Sequence, residues 1–277
     1  MENQGYVYIL QSQNCDCIKI GGTDYPPLKR IKEINATEPY KSLGKWELAE
    51  CLEVKNWRIV EHNLHYRFRS SLNTEIKNQK ELFHLSVADA SKALNEVNSE
   101  EIVYKPKIDR MFQDEAFLSY IVQLFKFTGL VHWIEQQGIW TFVLFPSTNG
   151  GRYFTMNIGS HEVAFSTLRK KDRKKLNMLM LDSLILDFPN VKKWLDKHNG
   201  SICTENYATA LPHSVSVHFE GSFSDALELF SLDGVRRALI AYWYEALIKK
   251  TEENKLSTYE RYHNYNAVAK IMKRIKE

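Results

Sequence analysis

The chain has few of the features that would place it outside the ordinary globular class. It has four cysteines in 277 residues, Cys15, Cys17, Cys51 and Cys203, too few for a disulfide framework at this length. A reduced, cytoplasmic setting is the simplest expectation. Cys15 and Cys17 form a C-x-C, but no matching pair of ligands completes a zinc set, so none is expected. No apolar run reaches about 18 residues, so no membrane partner is expected. The N-terminus lacks the basic flank and continuous apolar core of a secretory signal. Internal repeats and low-complexity segments are absent. Neither charge sign dominates, since the formal net charge is only +3. Residues 1–100 carry 13 basic and 14 acidic groups, and residues 101–277 carry 24 and 20. The basic excess therefore lies in the second part, which is compatible with a nucleic-acid partner.

Apolar and aromatic residues are present in quantity, 44% and 12% of the chain, enough to bury real cores. Residues 6–11 read as a strand, rich in Tyr, Val and Ile. Turn chemistry at Gln13-Asn14-Cys15-Asp16 and a returning strand over 17–21 complete a hairpin. Pro26-Pro27 suits the first turn of a helix, and Leu28, Ile31 and Ile34 repeat at helical spacing. Trp46 to Val54 is a third strand. Asn56 is a cap for a helix over 57–72, with Val60, Leu64 and Phe68 inward. Glu61 and His65, four apart on that helix, point the same way as each other. Glu81 opens a short apolar strand, and Ser86 caps a helix over 87–97.

The order, spacing and type of these residues resemble the GIY-YIG nuclease superfamily, in the branch with lysine for the second motif's tyrosine. Tyr6-Val7-Tyr8 stands for the first motif and Lys19-Ile20-Gly21 for the second. Tyr8 to Lys19 and Lys19 to Arg30 are each eleven positions. Arg30 matches the helix arginine, Glu61 the metal-binding glutamate, and Glu81-Leu82-Phe83 the short closing strand. The resemblance covers residues 5–95. It implies an α+β fold, a small mixed sheet with flanking helices over residues 1–98. It also implies a metal-dependent endonuclease that hydrolyses DNA phosphodiester bonds, restriction- or phage-defence-like in role.

In that chemistry Glu61 would hold a magnesium or manganese ion, because a lone carboxylate plus waters suits such an ion. Arg30 would clamp non-bridging phosphate oxygens with its planar fork. Tyr8 would take a proton from water, which needs its ordinary value of about 10 lowered or the proton passed on. Lys19 would lower Tyr8 by proximity or touch the phosphate. His65 would bond the nucleophile or relay a proton. Glu81 would orient Arg30 by pairing with it. Tyr6 faces the same side of its strand as Tyr8. Each of these residues also has an ordinary structural reading, as a solvated helix glutamate, a surface arginine or a half-buried strand tyrosine.

Residues 99–109 read as a charged linker, with a second α+β domain over 110–277. Residues 112–137 read as helical. Strands at 139–145, 153–158 and 162–167 make an antiparallel meander. Arg169, Lys170, Lys171, Arg173, Lys174 and Lys175 are six bases in seven positions, a phosphate-contacting patch or a solvated loop. Residues 176–188 and 191–198 read as helices, 214–220 as a strand, and 223–232, 235–250 and 258–276 as helices. Trp243, Tyr244, Tyr259, Tyr262, His263, Tyr265 and Asn266 cluster in the last two, to pack between helices or to stack on bases. The first expectation is a nuclease whose second domain selects the target. The alternative is a nucleic-acid-binding protein whose nuclease-like domain no longer cuts. With one active site per chain, a palindromic double-strand cut would need a homodimer or two separate nicks.

Overall fold

The computed structural model describes residues 3–104, 113–136, 138–145, 151–172, 174–204 and 207–277. It divides into two compact units, one of residues 1–106 with 265–270 and one of residues 107–264 with 271–277. The fold class is α+β, built on two antiparallel sheets.

The first unit is a five-stranded sheet in the order β4-β2-β1-β3-β5. Its strands are Gly5–Ser12 (β1), Ile18–Thr23 (β2), Trp46–Val54 (β3), Leu82–Phe83 (β4) and Ile102–Tyr104 (β5). Every pairing is antiparallel, which corrects the expected mixed sheet. β5 pairs with Glu53 and Val54, so part of the stretch read as a linker completes the sheet. Alternation along β1 explains the layering. Val7 and Ile9 enter a core with Val60 and Leu64 of Trp57–Arg67 (α2) and Ala90, Ala93 and Leu94 of Val87–Asn95 (α3). Tyr8 and Leu10 face the opposite side, where Ile31 and Ile34 of Pro27–Ala36 (α1) cover them with Trp46 and Tyr265. The caps are those the sequence indicates. Asn56 accepts from the Ile59 amide and Ser86 from the Asp89 amide.

The second unit is a six-stranded sheet in the order β10-β11-β9-β8-β7-β6. Trp140–Leu144 (β6), Gly151–Ile158 (β7) and His161–Leu168 (β8) are the expected meander. It continues into Lys175–Asp182 (β9), then Ser201–Cys203 (β10) and Ser214–Glu220 (β11). β9 and the short 3-10 turn Ser183–Asp187 replace the helix read over 176–188. Leucine and methionine favour a helix by propensity, but β9 is a central strand between β8 and β11. Met178, Leu179, Met180 and Leu181 are buried on both of its faces, and that burial overrides propensity. The helices are Glu115–Phe127 (α4), Pro189–Lys197 (α5), Phe223–Ser231 (α6), Val235–Glu252 (α7) and Tyr265–Lys276 (α8). Phe117 and Tyr120 of α4 pack on Phe154, Phe223 and Phe230 to form an aromatic core.

Candidate active site

Tyr8 is 1% exposed, with Gly21 directly across from it on β2. A Cβ added to Gly21 would lie 2.6 Å from the Tyr8 hydroxyl oxygen, so the motif's glycine is the space in which the ring rests. Lys19, two residues before Gly21, therefore shares Tyr8's face. It is fully buried, with its Nζ 4.7 Å from the centre of the Tyr40 ring and in an ion pair with the Glu81 carboxylate. Tyr40 also donates its hydroxyl to Glu81 Oε2, at 3.2 Å.

α1 brings Arg30 to the same place. It lies close enough to Tyr8 to act on its hydroxyl and hydrogen-bonds, at 3.1 Å, Glu33 Oε2, which also accepts from the Tyr25 hydroxyl at 2.6 Å. α2 brings Glu61 within electrostatic range of both Tyr8 and Lys19. Among the described residues, the Glu61 carboxylate has no hydrogen bond or ion pair. His65, one turn on, donates Nε2–H to the Ile20 carbonyl at 2.9 Å and packs on Phe83, which ties α2 to the second motif's strand. Tyr6 is half-buried, its ring edge-on to Tyr265 at 6.0 Å.

Three expectations are corrected here. Glu81 pairs with Lys19 and Tyr40, whereas Arg30 pairs with Glu33. Lys19 has no exposed surface, so it does not present its charge to a phosphate from solvent. Tyr8 is not lowered. Burial pushes it up to about 12, while the hydrogen bond and charge of Arg30 pull the other way. Burial, then the Arg30 charge, bring Lys19 down to about 7, and Glu61 opposes them. The Glu81 carboxylate in contact with Lys19 also favours the ammonium form. Tyr8 is thus a neutral phenol at neutral pH, and Lys19 holds its proton less tightly than an exposed lysine does.

Sequence reasoning missed Tyr25, Glu33 and Tyr40. Arg30 and Glu33 are three apart on one helix, a spacing that signals a pair. Tyr25 and Tyr40 lie outside regular elements, and no local pattern marks them.

In the second unit Arg169, Lys170, Lys171 and Lys174 lie in the turn between β8 and β9, and Lys175 opens β9. Arg173 lies outside the described residues. Arg169 is neutralised by Asp172 at 2.5 Å and Glu220 at 2.8 Å, and Lys174 by Glu220 at 3.1 Å. Lys175 extends over the Phe223 ring at 4.6 Å. Lys170 and Lys171 are exposed, with no ion pair among the described residues. Lys174 and Lys175 also line a groove of about 340 Å³ with Lys197, His198 and Asn199. His198, Asp225 and Glu228 are the one group of three in the described residues close enough to share an ion. Asp225, however, already accepts from the Ser222 amide and hydroxyl. Of the late aromatic cluster, Trp243 is core, with its indole N–H on the Met180 carbonyl. Tyr244, Tyr259 and Tyr262 are exposed.

Comparison with known proteins agrees with the first unit. Residues 5–98 match the family model of the T5orf172 domain, a phage-associated domain in the range of the GIY-YIG and HNH-like endonucleases. No curated protein and no solved structure matches the chain. The matched domain suggests a nuclease-like or DNA-binding role for residues 5–98.

Proposed function

We propose that the chain is a divalent-metal-dependent endonuclease that hydrolyses DNA phosphodiester bonds at the Tyr8 site. Its role would be restriction- or phage-defence-like, with residues 110–277 selecting the target. The observation that carries this reading is the convergence of Tyr8, Lys19, Arg30 and Glu61 from four separate elements of the unit that matches the T5orf172 domain.

Glu61 fits a magnesium or manganese ion, because its carboxylate has no competing partner among the described residues and lies beside the polar groups of the site. When bound, such an ion would polarise the phosphate and stabilise the leaving oxygen. Arg30, whose side chain is 37% exposed, clamps the non-bridging oxygens while Glu33 fixes its orientation. Tyr8 acts as a positioned neutral hydroxyl whose oxygen accepts a hydrogen bond from the attacking water. As the water oxygen bonds phosphorus and the bond to the leaving oxygen breaks, the water's proton passes through solvent to that leaving oxygen, with Arg30 beside the charged phosphoryl oxygens. Lys19 and Glu81, beneath it, set the charge of the pocket. His65 acts by holding α2, and hence Glu61, against β2.

The raised value of Tyr8 and the withdrawn Lys19 favour a second reading, DNA binding without cleavage. The test is incubation of the full chain with plasmid and single-stranded DNA in magnesium or manganese, against EDTA. The proposal expects cutting in the metal arms alone. Retention of DNA without cutting in any arm supports the second reading.

A further inference from the structure

Helix α7, Val235–Glu252, is apolar on two opposite faces. Its inward face, with Leu239, Tyr242, Trp243, Ala246 and Leu247, is buried in the core of the second unit. Its outward face carries Ile240, Tyr244 and Ile248, spaced four apart and 40%, 44% and 38% exposed. With Ala241 and Glu245 they line a shallow groove of about 370 Å³. An amphipathic surface helix turns a charged face outward, and a helix that is apolar all round is ordinarily buried all round. A continuous exposed apolar stripe on a folded unit marks an association surface.

The arrangement of charge along the stripe says what the partner is. Suppose two copies of α7 pack antiparallel about a two-fold axis at Tyr244. Tyr244 then meets the partner's Tyr244, and Ile240 meets the partner's Ile248. One turn further out, Arg236 meets the partner's Glu252, so each end of the stripe places a cation against an anion. Arg236, Arg237 and Glu252 are exposed, and none has an ion pair among the described residues. The Tyr244 ring is already held edge-on by Trp133 at 5.5 Å, so little side-chain freedom is lost on packing. We infer that α7 is the two-fold interface of a homodimer of this chain. This inference does not depend on the nuclease reading.

Sedimentation equilibrium of the full chain tests it. The wild type is expected at twice the chain mass of 32.4 kDa. Tyr244→Glu is expected at one chain mass with unchanged circular dichroism. Arg236→Glu and Glu252→Arg should each weaken dimerisation about tenfold or more, and the double reversal should restore it. In a Cys203→Ser background, Tyr244→Cys at the axis should form an intersubunit disulfide on mild oxidation. The charge and crosslinking arms decide the matter if Tyr244→Glu misfolds. A wild type of one chain mass up to about 0.1 mM overturns the inference. So does a dimer that is unmoved by either charge reversal and is not crosslinked through position 244.

Discussion

Lys19 is the residue on which the site turns, and it is costly to keep. A fully buried lysine beside Arg30 raises the free energy of the fold unless its neighbours compensate, and Glu81 compensates only in part, with about a third of its side chain in water. Lys19→Met is therefore expected to stabilise the first unit by about 1–3 kcal/mol while abolishing cleavage, read by thermal melts and plasmid nicking. The sign of its pH dependence follows from the lowered value of about 7 against the ordinary 10.5. Between them the unfolded chain holds the proton and the folded chain does not. Wild-type stability thus rises with pH across that window, and the advantage of the methionine variant shrinks. Gly21→Ala brings a methyl group against the immobile Tyr8 ring and is expected to cost about 1–3 kcal/mol in chemical denaturation. These residues were legible in the sequence because their order and spacing resemble the GIY-YIG pattern, and a hairpin's spacing then translates into cross-strand register. What was not legible was their electrostatic state. The burial that raises Tyr8 and lowers Lys19 comes from α1 and Tyr40, which fold over them from elsewhere in the chain.

Among the elements, β9 and α8 depart most from local pattern. Met-Leu-Met-Leu has no period of two that separates it from a helix, and only its place between β8 and β11 makes it a strand. α8 is helical as its spacing indicates, but its first residues, 265–270, belong to the first unit. Asn266 accepts from the Cys51 amide at 2.7 Å and donates to the Cys51 carbonyl at 2.8 Å, so it caps a stretch of β3 that β5 does not cover. No signal in the sequence links positions 51 and 266. Asn266→Ala leaves both backbone groups unpaired in a buried place. It is expected to lower the stability of the first unit by about 1–3 kcal/mol, seen as faster amide exchange at Cys51. For the same reason a fragment of residues 1–106, lacking Tyr265 and Asn266, should melt below the first unit of the full chain.

At the scale of the whole molecule, two units of different character share one chain, and acid should affect them unequally. His161 is buried between Tyr242 and Thr209, and burial brings it down to about 4. The unfolded chain binds the proton that the folded chain refuses. Stability is therefore complete above about pH 6.5 and falls as pH drops toward 4, by on the order of 3 kcal/mol. Melts of wild type and His161→Gln across this range should converge as pH falls. Among the described residues no helix is long and apolar enough to cross a membrane. Catalysis at the Tyr8 site is tested most directly by Glu61→Ala. Assayed beside the wild type with magnesium and DNA, the variant is expected to keep its fold and its DNA binding and to lose cleavage by about a thousandfold or more. A folded Glu61→Ala protein that cuts DNA at the wild-type rate would contradict it.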